Sequence, residues 1–388
     1  MKRLNTHNLP QGNLKIKTPS YNRQSVESGI VHFGVGNFHR THQAVYCDDL
    51  LCQGETQWGI TGISLRSPTV RDKLASQDYL YTLLTLGAET NYRIIGSIKN
   101  ILVAPEDPAQ VIRTVSHNQT KVVTATVTEK GYCLSSGGID MEHPGIHNDM
   151  ASLEQPQTIY GYLAAALIER STANGEPLTI ICCDNIQDGG NHLKSGVMKL
   201  LKKHRSNTCE WTRHNVAFVS SMVDRVSPAT DDRLNQIVAS KLGLADQWPV
   251  SAEPFTQWVI QDHFAGPRPP FDRVGAEFVK DITPYETMKL RFLNAGHSMA
   301  AALGYLAGDH SIHEALGRPV IYNFVNLALL NNILPVTQIP EGTNGRTYIQ
   351  QVLGRFQNHT LPYAVLQVGT DSSQKIQQRW FPSIDDAL

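Results

Sequence analysis

Through the first two thirds of the chain, apolar residues come in short runs separated by Gly- and Pro-containing breaks. Through the last third they recur at helical spacing. Residues 1–28 are polar and Pro-containing, which predicts a lead-in rather than a core element. A short apolar strand at 29–33 runs straight into Gly34-Val35-Gly36-Asn37-Phe38-His39-Arg40, and residues 41–51 behind it have helical periodicity. Further strands are expected at 58–65, 92–95, 122–127, 178–183 and 216–221, with a helix at 158–170 before one of them. Strands alternating with helices predict an α/β domain built on a mainly parallel sheet. After about residue 280 helical runs dominate, at 285–307, 320–330 and 347–356. The Pro-rich stretch 266–271 and Ile282-Thr283-Pro284 mark the break, dividing the chain into domains at 1–278 and 279–388.

Composition narrows the function classes. The chain has 388 residues, 41% hydrophobic and 18% charged, as expected of an ordered protein with a large core. A formal charge of −1 gives no reason to expect nucleic acid or an anionic membrane as partner. The opening residues have no apolar stretch behind Lys2 and Arg3, and no run reaches the ~18 apolar residues of a membrane span, so a cytoplasmic protein is expected. The six cysteines form no C-x-x-C pair and read as reduced thiols. The histidines are scattered, and no metal site is expected.

Four segments carry candidate chemistry. Gly34-x-Gly36 between a strand and a helix is the first half of a dinucleotide fingerprint, in which glycines let the backbone approach a pyrophosphate. His39 stands where the third glycine belongs, and an ordinary Gly-containing strand–helix turn would read the same way. The second strand ends Ser64-Leu65-Arg66-Ser67-Pro68-Thr69, with no carboxylate before Asp72. Arg66 and its neighbouring hydroxyls suit a 2′-phosphate better than a free 2′-hydroxyl. At three other strand ends lie Glu129, Asn185 and Asp224. Asn185 is placed to stabilise an alkoxide, or to close an Asx-turn; Glu129 and Asp224 also fit capping or ion-pair sites.

The fourth segment is Lys289-Leu-Arg291-Phe-Leu-Asn294-Ala-Gly-His297-Ser298. On an α-helix Asn294 lies about 140° and His297 about 80° round from Lys289, so the three share a face with Leu290 and Leu293. Burial on such a face lowers a lysine pKa toward neutrality, the condition for a general base acting on an alcohol. A surface lysine, a solvated asparagine and a core histidine would give the same spacing.

Six stretches taken together resemble the mannitol dehydrogenase family of polyol-specific long-chain dehydrogenases. They are residues 34–43, 128–132, 183–185, 222–225, 253–259 and 289–298. The resemblance implies a metal-independent, nicotinamide-dependent oxidoreductase with a Rossmann-type N-terminal domain and a mostly helical C-terminal substrate domain. It implies Lys289 as general base, Asn185 and Asn294 bracing the reacting oxygen, His297 orienting substrate, and Glu286 gating the proton. Gly34, Val35, Gly36, Asn37, Phe38, Arg66 and Glu129 fall to the coenzyme, NAD with NADP as alternative. Asp224, Arg291 and Lys375 are substrate candidates. The family's Asp-Gly-Ser-x-Lys reads Asp371-Ser372-Ser373-Gln374-Lys375, and members usually continue well past such a segment, so a fragment or short member is expected. D-mannitol and D-fructose are the expected pair, from the opening residues and the 78–82 region. The alternatives are a fructuronate reductase, whose substrate carboxylate would need Arg291, Lys375 or Arg379, and a non-catalytic coenzyme-binding relative.

Overall fold

The computed structural model describes residues 1–10, 16–135, 138–361 and 363–388, with the side chains of Glu129 and Gln374 outside that description. Two compact units emerge. One comprises Met1–Thr85 and Thr90–Lys280, the other Leu86–Glu89 and Asp281–Leu388.

The first unit is organised by an eight-stranded sheet. Its strands are β1 (Ile30–Phe33), β2 (Ile60–Ser64), β3 (Ile98–Val103), β4 (Val122–Ala125), β5 (Leu178–Cys182), β6 (Val216–Asp224), β7 (Gln257–Gln261) and β8 (Glu277–Val279). They lie in the order β8-β7-β6-β5-β4-β1-β2-β3. The strands from β3 across to β6 are parallel, β7 is antiparallel to β6, and β8 runs parallel to β7. The strand order reverses between β1 and β4, and ligands of such sheets bind beyond the strand ends at such a switch point.

The unbroken apolar strand sequences follow from burial on both faces. Val31, Phe33, Val123, Ala125, Ile180 and Cys182 pack into one core. Their alternates Ile30, Val122, Ile181 and Cys183 pack into the other. A helix at Ile159–Thr172, capped by the Thr158 side chain, covers the first face beside a second helix, Gly189–His204. The glycines in the second helix hid it from periodicity, and their reason is contact. A Cβ at Gly196 would sit 2.3 Å from the Tyr160 ring, and one at Gly190 would sit 2.6 Å from the backbone of Val219.

Two departures from the periodicity reading have local causes. Residues 41–51 do not form one helix with their lead-in. Two helices, α1 (Asn37–Thr41) and α2 (Gln43–Cys52), meet at His42, whose φ of −121° and ψ of −93° break the ladder. The Thr41 carbonyl freed there accepts from Arg225 at 2.5 Å. Strands β3 and β7 also went unread, because Lys99 and Asn100 interrupt the apolar run of β3, and Gln257 and Gln261 bound an apolar run in β7 of residues 258–260 alone.

The second unit is helical. The stretch read as one helix over 285–307 is three segments: α3 (Thr283–Met288), a π-helix at Lys289–Asn294, and α4 (Ala295–Leu306). Met288, Phe292, Leu293, Ala300 and Ala301 join Ile349, Val352 and Phe356 of α5 (Gly345–Phe356) in its core. The run 319–336 is, among the described residues, one helix long and apolar enough by length and composition to cross a membrane. The sequence reading found no uninterrupted run of that length, and four asparagines interrupt this one. Its Ile321, Val325, Leu329 and Ile333, spaced four apart, pack into this core.

Candidate active site

In the N-terminal unit the turn after β1 is shaped by two glycines doing different things. Gly34 sits at φ +97°, and a Cβ there would lie 2.1 Å from the Thr126 carbonyl oxygen, so neighbouring backbone demands glycine. Gly36 has an ordinary φ of −89°, and a Cβ there would meet nothing nearer than the Gly34 oxygen at 4.0 Å. Protein packing does not require that glycine. The space it leaves fits a pyrophosphate approaching backbone N–H groups.

The side chains around the turn are spent on holding it. Val35 is buried against Gly62, where a Cβ would sit 2.4 Å from it. Asn37 donates to the Pro228 carbonyl at 3.1 Å and accepts from Arg40 at 2.7 Å. Phe38 stacks on His42 with ring centroids 5.0 Å apart. Arg40 is fully buried, donates to the Trp248 carbonyl at 2.6 Å and lies over the Tyr81 and Trp248 rings; desolvation pulls it down to about 10. His39, in the third glycine's place, is fully buried and stacks on His32 at 3.4 Å. The His32 ring meets the Thr124 and Thr126 hydroxyls at 2.7 and 2.9 Å. Desolvation lowers His32 to about 3 and drives His39 well below the usual histidine range, so both are neutral at pH 7.

Asp184 organises the neighbouring strand ends. Its carboxylate accepts from Val127 N–H at 2.8 Å, Thr128 N–H at 3.3 Å and the Tyr132 hydroxyl at 2.8 Å. These bonds hold Thr128, a β-branched residue, at φ +67° and ψ 160°, a conformation costing of order 1–3 kcal/mol. Asn185 follows on the loop and is exposed. Glu129 opens a short turn, Glu129–Tyr132; its side chain lies outside the described residues. Arg66 is exposed just past β2, where the Ser67 and Thr69 hydroxyls bond each other at 2.5 Å. Asp224 ends β6, buried and paired in register with Gln257.

In the C-terminal unit four polar residues are buried within one apolar helical stretch: Glu286 and Lys289 at 6% exposure, Asn294 at 8% and His297 at 9%. Lysine is almost never buried without a reason. The π segment changes the angular argument. Ala295 N–H bonds back to the Leu290 carbonyl, five residues away, so the turn is one residue wider than in an α-helix. The wider turn reduces the angle between Lys289 and Asn294 below the about 140° of a regular α-helix. The His297 ring is fixed edge-out between Phe356 and Tyr363, at 4.7 and 4.9 Å and within 14° of parallel to each.

The cationic substrate candidates have backbone partners. Arg291 donates to the Val336 carbonyl at 2.7 Å and pairs with Asp386 at 2.5 Å, and Lys375 donates to the Val368 carbonyl at 3.2 Å. Arg379 donates to the Asn294 carbonyl at 3.2 Å and the Ser298 hydroxyl at 2.8 Å. Among the described residues, no group of three or more His, Cys, Asp or Glu side chains could hold a metal ion.

Residues 28–273 match the mannitol dehydrogenase Rossmann domain and residues 281–388 the mannitol dehydrogenase C-terminal domain. The chain belongs to the mannitol dehydrogenase family. It is 38% identical to mannitol 2-dehydrogenase of Phaeosphaeria nodorum over all of this chain and 69% of that one. It is 37% identical to D-mannonate oxidoreductase of Escherichia coli over 96% of this chain and 78% of that one. Among solved structures, Pseudomonas fluorescens mannitol 2-dehydrogenase in ternary complex with NAD and D-mannitol superposes with a TM-score of 0.93 at 35% identity. The match covers 99% of this chain and 79% of that one. The Rossmann-type first domain and helical second domain implied by the sequence resemblance are therefore correct, as is the family.

Sequence reasoning missed three parts of the site. Asp184 was not singled out, though an acid beside Asn185 at a strand end was a signal of a polar knot. The His32–His39 stack had one signal, a histidine in the third glycine's place. The π segment had none, because its composition is that of an α-helix.

Proposed function

We propose that the protein is an NAD-dependent polyol dehydrogenase interconverting D-mannitol and D-fructose. The observation that carries this reading is the burial of Glu286, Lys289, Asn294 and His297 on one stretch of helix that includes a π turn. The relatives named above act on mannitol or mannonate by their names, and one was solved with NAD and D-mannitol.

Oxidising a secondary alcohol removes one hydride and one proton and leaves a ketone. When bound, NAD supplies the electrophilic carbon that takes the hydride; the backbone of residues 34–38 would hold its pyrophosphate. In the buried setting of α3 and the π turn, Lys289 acts as the general base that accepts the hydroxyl proton. The Asn294 amide stabilises the negative charge that builds on the oxygen. His297, held flat between two rings, presents its ring nitrogens edgewise to orient a substrate hydroxyl. Glu286, one turn before Lys289, relays the proton outward. Polarisation is assigned to these groups, so turnover is expected to survive a chelator.

A neutral polyol is favoured over a sugar acid because Arg291, Lys375 and Arg379 each donate to a protein carbonyl. Arg66, with no carboxylate near it before Asp72, supports tolerance of NADP beside NAD. The test is Lys289→Ala assayed with D-mannitol and NAD. Turnover should fall of order 10²–10⁴-fold with NAD affinity nearly unchanged. Unchanged turnover removes the lysine from the mechanism, and activity on fructuronate alone overturns the substrate.

A further inference from the structure

The π turn from Lys289 to Asn294 is an uncommon conformation, and such turns persist where surrounding contacts over-determine them. Beside the Arg291 bond to the Val336 carbonyl, several of those contacts here come from one place. At its exit, where hydrogen bonding returns from five-residue to four-residue spacing, the Asn294 carbonyl accepts from Arg379 Nη1 at 3.2 Å. The same nitrogen donates to Ser298 Oγ at 2.8 Å, one turn on. The next residue, Trp380, sends its Nε1–H to the Ala295 carbonyl at 3.4 Å. From inside the π segment, Arg291 reaches the Pro382 carbonyl at 3.5 Å and Asp386. Arg379, Trp380, Pro382 and Asp386 all lie in the helix pair α6 (Ser372–Arg379) and α7 (Phe381–Asp385) or immediately beside it.

We propose that Arg379 is a positioning residue: its guanidinium, bridging the Asn294 carbonyl and Ser298 Oγ, sets the register of the π turn and so the alignment of the Asn294 amide with the Lys289 amine. Trp380 reinforces it at the following carbonyl. A fixed, charged, planar donor suits this task because it meets two acceptors at once with little freedom left to lose. Released from it, the stretch relaxes toward α-helical hydrogen bonding, which rotates Asn294 away from Lys289 by a large angle. The inference rests on Lys289 and Asn294 acting together on the substrate oxygen, as proposed above.

The experiment compares Arg379→Gln, Arg379→Lys and Lys289→Ala using D-mannitol and NAD, with NAD affinity measured separately by fluorescence titration and folding by circular dichroism. Arg379→Gln is expected to lower kcat at least tenfold, with KM for mannitol and Kd for NAD within about twofold of the parent. Arg379→Lys, which keeps a charged donor, should recover most of that loss. If Arg379→Gln keeps kcat, or changes KM alone, Arg379 does not position the turn. Should the Gln variant fail to fold, Trp380→Phe removes the Nε1–H donor while keeping an aromatic ring and must lower kcat about threefold with NAD affinity intact; an unchanged kcat overturns the proposal. Loss in Lys289→Ala without loss in the Arg379 and Trp380 variants refutes the positioning role alone. Full activity in Lys289→Ala refutes the underlying mechanism instead.

Discussion

Two glycines two residues apart should respond in opposite ways to the same methyl group. Alanine at Gly34 must adopt φ +97° and place its Cβ 2.1 Å from the Thr126 carbonyl oxygen. The left-handed backbone costs about 1–2 kcal/mol. Forcing backbone apart in a packed region adds about 1–3 kcal/mol. A destabilisation of about 2–5 kcal/mol follows for Gly34→Ala. Alanine at Gly36 has a compatible φ of −89° and nothing nearer than 4.0 Å. It removes freedom from the unfolded chain and should stabilise by about 0.4–1 kcal/mol. What Gly36→Ala should lose is coenzyme. A methyl forced against a pyrophosphate costs about 1–3 kcal/mol, or about 5- to 150-fold in affinity. Thermal melting without coenzyme and calorimetric titration with NAD measure the two effects separately. If Gly36→Ala binds NAD within twofold of the parent, the turn is not the coenzyme cradle. If it melts as low as Gly34→Ala, the space beside Gly36 is not free.

Other expectations follow from the same geometry. His32 is held at about 3 in the folded protein against 6.5 when unfolded, so only the unfolded chain takes its proton between those values. Its contribution is intact above pH 6.5 and is lost as pH falls, by about 2 kcal/mol at pH 5; in urea unfolding, His32→Asn should flatten that slope, and an unchanged slope contradicts the assignment. Asp184→Ala strips three donors of their acceptor and should cost about 2–3 kcal/mol with reduced turnover, seen as a lower urea midpoint; an unshifted midpoint would show the knot to be dispensable. All six cysteines are free thiols, and only Cys52 is not buried, so a thiol reagent should titrate one group in the native protein and six in denaturant.

The sequence by itself determined five of the eight strands of the main sheet, β1, β2, β4, β5 and β6, and the helix over 159–172. Doubly buried strands are continuously apolar, and a run such as 178–183 can be little else. It also determined the Gly34–Gly36 turn and the family, since six spaced motifs coincide in order. It could show that Lys289, Asn294 and His297 are near one another along a helix, because spacing is local information. Only the tertiary structure decided how that helix winds. Lys289–Asn294 has the composition of an α-helix, and the contacts at its exit come from Arg379 and Trp380, some eighty-five residues further along the chain. The break at His42 was likewise decided by distant residues, Arg225 taking the Thr41 carbonyl and the Gln257 carbonyl meeting the His42 ring at 2.9 Å. Propensity speaks for neighbours in sequence. Where a backbone carbonyl finds its donor two hundred residues away, the deciding free energy belongs to packing, and no local pattern records it.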